Sequence, residues 1–374
     1  MLLLIPGPVT TRPEVRAAMA QDVAPWDNDT RAFYSALKAR VLAIAGGREP
    51  EYAALPLQGC GHFATEAAIR SFVPAGGRLL VPLTGHYAER MVRLAREAGR
   101  EVTEVPVSET EPVSPADLAA ALAADPASSH VGLVYSETSS GVIHDVAALG
   151  AVVRAAGRRL LVDGVSAFGA LPLEVSAQPE LDAVWFSSNK CLEGLPGVTF
   201  TIVRADRLAG AAGGAGSWSF DLADTYANHL RASGVFRFTP PAQILSALAV
   251  ALDLFDAEGG QPARLARYRA NADTLCRSMR AIGLSPTLPA DVQGPIIVNI
   301  DAPDDPAWAL QGFVDRLKAR GFLISNFANT AHPSFRVGCI GAVEPRDMCA
   351  FAAAVDSALD DMGVRSRAPL RHAA

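Results

Sequence analysis

Lysine is almost missing from this chain: of its 33 basic residues three are lysine, Lys38, Lys190 and Lys318, and the rest are arginine. The bias points to GC-rich coding, and it draws attention to each lysine that remains. Cysteine is scarce as well. The five residues Cys60, Cys191, Cys276, Cys339 and Cys349 are odd in number and widely spaced, with no C-x-x-C pair. That excludes a disulfide framework and gives no zinc or redox motif, so reduced thiols in the cytoplasm are expected. Long apolar runs are lacking too. Met1 to Ile5 runs straight into Pro6-Gly7-Pro8, which denies it the apolar core of a signal peptide, and no uncharged run is long enough to span a bilayer. Basic runs are also absent: the net charge is -6 with arginine scattered along the chain, so neither nucleic acid nor a membrane is expected as a partner.

What is present suits a soluble protein with a substantial core: 374 residues, 50% hydrophobic and 19% charged. The length exceeds one small core and predicts a large domain followed by a smaller one. From about residue 50 to 205, short β-branched runs alternate with amphipathic stretches, the pattern of βαβ units around a mainly parallel sheet. Seven strands are predicted, at 52–57, 78–82, 101–105, 131–135, 160–162, 183–186 and 198–203, with helices at 65–72, 88–98, 115–124 and 147–156 between most of them. Two long helical patterns follow, at 242–256 and 263–282, then strands near 296–300 and 335–337 and helices near 307–320 and 346–362. The expected division is an N-terminal segment 1–20 packing on the small domain or a partner subunit, a large domain 21–258, and a small α+β domain 259–374 that begins at Glu258-Gly259-Gly260.

The residues suited to chemistry fall at successive strand ends, where an α/β sheet opens its ligand crevice. Ser187-Ser188-Asn189-Lys190 follows the strand 183–186 and leads into the loop Gly194-Leu195-Pro196-Gly197. A lysine there is commonly a surface residue, but its rarity and its polar, glycine-flanked setting favour function. A buried ammonium has the lowered pKa that Schiff-base chemistry requires. Asp163 ends the run Leu160-Leu161-Val162 one strand unit earlier. It is either a turn cap or the partner of a protonated pyridine nitrogen. Gln58-Gly59-Cys60-Gly61-His62 is a glycine-rich turn entering a helix, which suits a phosphate. It also matches a dinucleotide fingerprint, but that reading expects an acid at the next strand end, where Pro82-Leu83-Thr84 stands. Tyr87 in Thr84-Gly85-His86-Tyr87 offers a ring for stacking, and Glu137-Thr138-Ser139-Ser140-Gly141 offers hydroxyls.

The ordered series Pro6-Gly7-Pro8, Gly59-Cys60-Gly61-His62, Gly85-His86-Tyr87, Glu137 to Gly141, Asp163-Gly164-Val165-Ser166, Ser188-Asn189-Lys190 and Arg336-Val337-Gly338 resembles the class V, fold-type I aminotransferases along most of the chain. That resemblance implies pyridoxal phosphate as cofactor. Lys190 would carry it as a Schiff base, Asp163 would pair with its ring nitrogen, Tyr87 and Val165 would sandwich the ring, and Thr138 would bond its phenolic oxygen. Gly61, His62 and Asn189 would hold its phosphate, with Thr239 from a second subunit, so a homodimer with a shared site is implied. Arg336 and Gly7 would meet the substrate, a small amino donor or 2-oxo acid. Leu4 to Thr11, Trp26-Asp27, Asn189 to Gly197 and Phe236 to Pro241 resemble the branch of the class that moves the amino group of 2-aminoethylphosphonate to pyruvate. Gly61-His62 is more similar to alanine–glyoxylate aminotransferases, and alanine or serine with glyoxylate or pyruvate is the alternative it implies. Outside transamination, the readings left open are a pyridoxal-phosphate lyase and a nucleotide-binding oxidoreductase.

Overall fold

Runs whose side chains are buried on both sides have to lie between two layers, and six such runs, with the more exposed edge run 101–106, pair into the central sheet. The computed structural model describes residues 1–369 apart from 209, 210, 212, 233, 328, 329, 331 and 332. Its strands in chain order are β1 (Leu2–Leu3), β2 (Tyr52–Gly59), β3 (Arg78–Leu83), β4 (Glu101–Pro106), β5 (Ser128–Val134), β6 (Arg159–Asp163), β7 (Leu181–Ser187), β8 (Gly197–Arg204), β9 (Ile297–Asp301), β10 (Phe322–Leu323) and β11 (Ser334–Gly338). The large sheet has the order β2-β8-β7-β6-β5-β3-β4. All its pairings are parallel except those of β8, which runs antiparallel to β2 and β7. The seven predicted strands are the seven of this sheet.

The period-two alternation divides the strand side chains between two cores. Leu160, Val162, Val184 and Phe186 face one core with the helices Asn28–Ile44, Pro115–Ala124 and Val146–Ala155. Leu161, Ala183 and Trp185 face the other with Gly61–Phe72 and His86–Glu97. A third apolar cluster forms on β9 and β11, which pair antiparallel, and on the helices Gly260–Ala281, Leu310–Ala319 and Pro345–Met362. Helix Ala242–Glu258 stops at Gly259, which takes the left-handed conformation that glycine tolerates (φ 111°), and the next helix starts at Gly260. The N-terminus joins the third cluster. β1 pairs parallel with β10, Leu4 is fully buried, and the Gly338 N–H donates to the Leu4 carbonyl at 2.9 Å. A Cβ at Gly338 would come within 2.4 Å of the Ile5 carbonyl oxygen, so this glycine lets the N-terminal strap pass.

Some elements lie outside the sequence expectation. Helix Asn28–Ile44 was not anticipated, although Asp27 caps it by accepting from the Asp29 and Thr30 backbone N–H groups. The helix Leu222–Arg231 and the short pair β1–β10 were not anticipated either. Lys38 is buried, with its Nζ 2.9 Å from His229 Nδ1, and it joins those two unanticipated helices; Lys318 is exposed. Among the described residues, no helix is long and apolar enough to cross a membrane.

Phe186 sits between Phe168 (centroids 3.8 Å apart) and Phe200 (5.5 Å). Replacing it with alanine is expected to lower unfolding stability by about 3–5 kcal/mol, since both transfer energy and a cavity are involved. Denaturant titration checks this; a loss under about 1 kcal/mol would mean that the surrounding core collapses into the gap.

Candidate active site

Lys190 lies where the chain turns after β7, and Asp163 is the last residue of the neighbouring β6, so both face the crevice at the carboxyl ends of the parallel strands. A cavity of about 210 Å³ opens there, lined by Gly7, Cys60, Gly61, His62, Thr65, Tyr87, Arg90, Asp163, Val165, Ser187, Asn189 and Lys190. Its floor is built closely. The Val165 backbone N–H donates to Asp163 Oδ1 at 2.9 Å, and the Ser187 hydroxyl donates to Asn189 Oδ1 at 2.7 Å. A Cβ on Gly61 would fall 2.5 Å from Val165 Cγ2, and one on Gly7 would fall 2.5 Å from Lys190 Cδ. Gly7 therefore brings backbone against the end of the lysine side chain, and its φ of 139° lies in the region that side chains rarely adopt.

Burial sets the protonation of these groups. Loss of water lowers the Lys190 ammonium to about 8, and Arg336 and Arg90 push the same way, while Cys191 and Asp163 oppose them. Loss of water raises the Asp163 carboxyl to about 6, opposed by the Val165 N–H and by Arg90, Trp185 and Lys190. Glu137, fully buried, is pushed up to about 7 by burial, although the Ser139 hydroxyl and backbone N–H and the Tyr87 N–H favour its charged form. Arg336 is buried behind the cavity. Its Nη1 donates to the Thr138 carbonyl at 2.9 Å, and its guanidinium lies 4.9 Å from the Phe327 ring centre. Among the described residues no carboxylate forms an ion pair with Arg336 or Arg90. The Thr138 hydroxyl is buried without a hydrogen-bond partner among the described residues.

Of the residues expected from sequence, Gly7, Gly61, His62, Tyr87, Asp163, Val165, Asn189 and Lys190 meet in one cavity. Thr138 and Arg336 lie buried beside it, joined to each other. Thr239 is exposed and does not line it. Cys60, Thr65, Arg90 and Ser187 line the cavity without having been anticipated. Arg90 had a signal in the sequence: it follows Tyr87 by three residues on a helix that begins at the strand end, so the two share a face, and its guanidinium lies 4.9 Å from the Tyr87 ring centre.

The cavity fits a phosphorylated pyridine aldehyde. Helix Gly61–Phe72 starts there with no side chain capping its first N–H groups, which suits a phosphate. A buried carboxyl, an amine of lowered pKa and an orphaned hydroxyl supply complements for the ring nitrogen, the aldehyde and the phenolic oxygen. Fold and site together define a fold-type I pyridoxal-phosphate enzyme. Residues 28–301 match the aminotransferase class-V family, and the chain belongs to that family of pyridoxal-phosphate-dependent aminotransferases. It is 44% identical over 363 residues to a 2-aminoethylphosphonate–pyruvate transaminase of Burkholderia ambifaria, covering 97% of this chain and 96% of the other. A protein of the same description from Burkholderia pseudomallei is 43% identical over 366 residues, with 98% of each covered. Among solved structures, an alanine–glyoxylate aminotransferase from Nostoc sp. superposes with a TM-score of 0.87 at 25% identity, covering 96% of this chain and 95% of that one.

Two outcomes follow from this geometry. Gly7→Ala places a methyl group against Lys190 and should abolish most cofactor loading, read as visible absorbance per protein; loading equal to the wild type would mean that the strap shifts freely. Asp163 has a folded pKa raised from 3.8 to about 6, so in cofactor-free protein its ionisation costs stability as pH rises from about 4 to 6. Cofactor-free Asp163→Asn should therefore be the more stable protein at pH 8, by up to about 3 kcal/mol, with the difference closing near pH 4. Parallel melting curves of the two proteins across that range would contradict the burial argument.

Proposed function

We propose that this aminotransferase moves the amino group of 2-aminoethylphosphonate to pyruvate, giving phosphonoacetaldehyde and L-alanine. The observation that carries the reading is identity of 42–44% over nearly the whole chain to proteins described as that transaminase. The buried Arg336, which forms no ion pair with a carboxylate among the described residues although the charge of Glu137 acts on it, is the complement such substrates need. A planar, permanently charged donor holds phosphonate or carboxylate equally well, and the two occupy it in alternate half-reactions. Pyridoxal phosphate supplies an electron sink and a temporary carrier for the amino group. Lys190 is its proposed point of attachment. Its Nζ would take the proton from the amino-bearing carbon of the donor and return one to that carbon of the acceptor, a task suited to an amine titrating at about 8. Asp163 holds the ring nitrogen, Tyr87 and Val165 hold the ring faces, Thr138 meets the phenolic oxygen, and the N–H groups of the Gly61-His62 turn, with Asn189, hold the phosphate. Gly7 closes the substrate side and limits water near Lys190.

The site is proposed to be shared in a homodimer. Phe63, Trp218 and Phe238 are exposed around a groove next to the Gly59 to His62 turn, and the exposed Thr239 lies close along the chain. That surface suits a second copy, whose Thr239 would complete the phosphate contacts. The proposed organisation keeps a segment 1–20, a large domain 21–258 and a small domain 259–374; the third apolar cluster supports the small domain, while Leu4 of the segment joins that cluster and Val15 packs on Ala247 and Ala251 of the large domain. The proposed setting is the cytoplasm, supported by five unbridged cysteines. His62 at the phosphate turn favours a second reading, an α-amino acid donor with glyoxylate or pyruvate.

Spectral titration decides between them. 2-Aminoethylphosphonate should bleach the visible band of the bound cofactor and pyruvate should restore it, while Lys190→Ala should show neither change. If only L-alanine or L-serine bleaches the band, the second reading replaces the first.

A further inference from the structure

Glu137 is unused by the roles assigned so far, yet it is the most completely enclosed acid near the cavity. Its exposure is 0%. Both Ser139 donors reach Oε1, the backbone N–H at 3.1 Å and the hydroxyl at 2.7 Å. The Thr84 hydroxyl lies at 3.5 Å from Oε2, and the Tyr87 backbone N–H is a further donor. Donors arriving from two directions are best met by the two oxygens of an ionised carboxyl, the form these contacts favour against the burial that raises its pKa to about 7. The donors come from two different strand-end turns, one after β3 carrying Tyr87 and one after β5 carrying Thr138. Gly85 lets the turns touch: a Cβ there would fall 2.4 Å from Ser139 Oγ and 2.9 Å from Glu137 Cδ. The second turn is also held from its far side, where Asn299 Nδ2 donates to the Ser139 and Ser140 carbonyls at 2.7 and 2.9 Å.

We propose that Glu137 is a positioning residue whose carboxylate clamps the Tyr87 turn to the Thr138 turn, and so fixes the spacing between the group that stacks on the cofactor ring and the hydroxyl that meets its oxygen. The inference rests on the reading of Tyr87 and Thr138 as cofactor contacts. Glu137 itself does not line the cavity. A glutamine of the same shape presents an NH₂ to donors that require an acceptor, so the turns separate although the volume is kept. Ser139→Ala removes one donor and leaves every backbone contact, which makes it the milder variant.

The test uses loaded enzyme, with three readouts: kcat and KM for the amino donor, visible circular dichroism of the bound cofactor, and melting temperature. For Glu137→Gln the expected result is a kcat reduced tenfold or more, KM for the donor within about twofold, and a diminished dichroic band. Ser139→Ala should show the same pattern at a few-fold, with its melting temperature within a few degrees of the wild type. Wild-type dichroism and kcat in both variants would overturn the proposal. A lower melting temperature with the dichroic band intact would also overturn it, by assigning Glu137 to stability alone. Should Glu137→Gln fail to fold, Ser139→Ala decides alone. A wild-type protein that takes up no pyridoxal phosphate would instead defeat the reading of the site as a whole.

Discussion

Lys190, Asp163 and Arg336 have all left water, and no ion pair among the described residues joins any two of them. Charges so placed attract or repel at distances where burial has weakened the screening, yet none of them holds the others in position. The backbone does that. Asp163 ends β6, Lys190 follows β7 and the Thr138 turn follows β5, strands of the central sheet packed between its two cores, while Arg336 lies on β11, paired with β9 against the third apolar cluster. The stability of those cores offsets an arrangement that is locally unfavourable, which is the usual mark of a site awaiting a charged ligand.

Two distant parts of the chain close the crevice. The first residues run along β10 and past Gly338 before Gly7 reaches Lys190. From the other side, Arg267 Nη2 and the Tyr268 hydroxyl on helix Gly260–Ala281 donate to Glu193 Oε1, at 2.6 and 2.7 Å, in the loop just after Lys190. Arg267 also pairs with Glu258, next to the glycine break between the two long helices. The lysine loop is thus held by hydrogen bonds from residues far along the sequence, and displacement of either holder would move it.

The central sheet was legible because most of its strands are apolar on both faces, its edge strand 101–106 alternates, and turn residues bound them. Lys190 and Asp163 were legible because a strand end followed by a polar turn marks the crevice of such a sheet. Helix Asn28–Ile44 was missed although its buried positions Tyr34, Leu37, Val41 and Leu42 keep helical spacing, because the same buried face also carries the polar Thr30 and Lys38. Glu137 stood in a recognised motif, but its part depends on contact with Gly85 and Tyr87 across the sheet, and spacing along one chain carries no record of that contact. Arg336 was recognised as an anion binder, although its tie to the Thr138 carbonyl, 198 residues away, belongs to the folded state alone.

The scarcity of lysine acquires a different meaning once the three are located. Lys38 is buried against His229, Lys190 is withdrawn into the cavity, and Lys318 alone stands exposed. To an amine-seeking reagent the folded surface therefore offers one lysine side chain. Coupling chemistry that decorates most proteins at random would tether this one by a single face, and that face lies on the helix Leu310–Ala319, among the elements of the third apolar cluster.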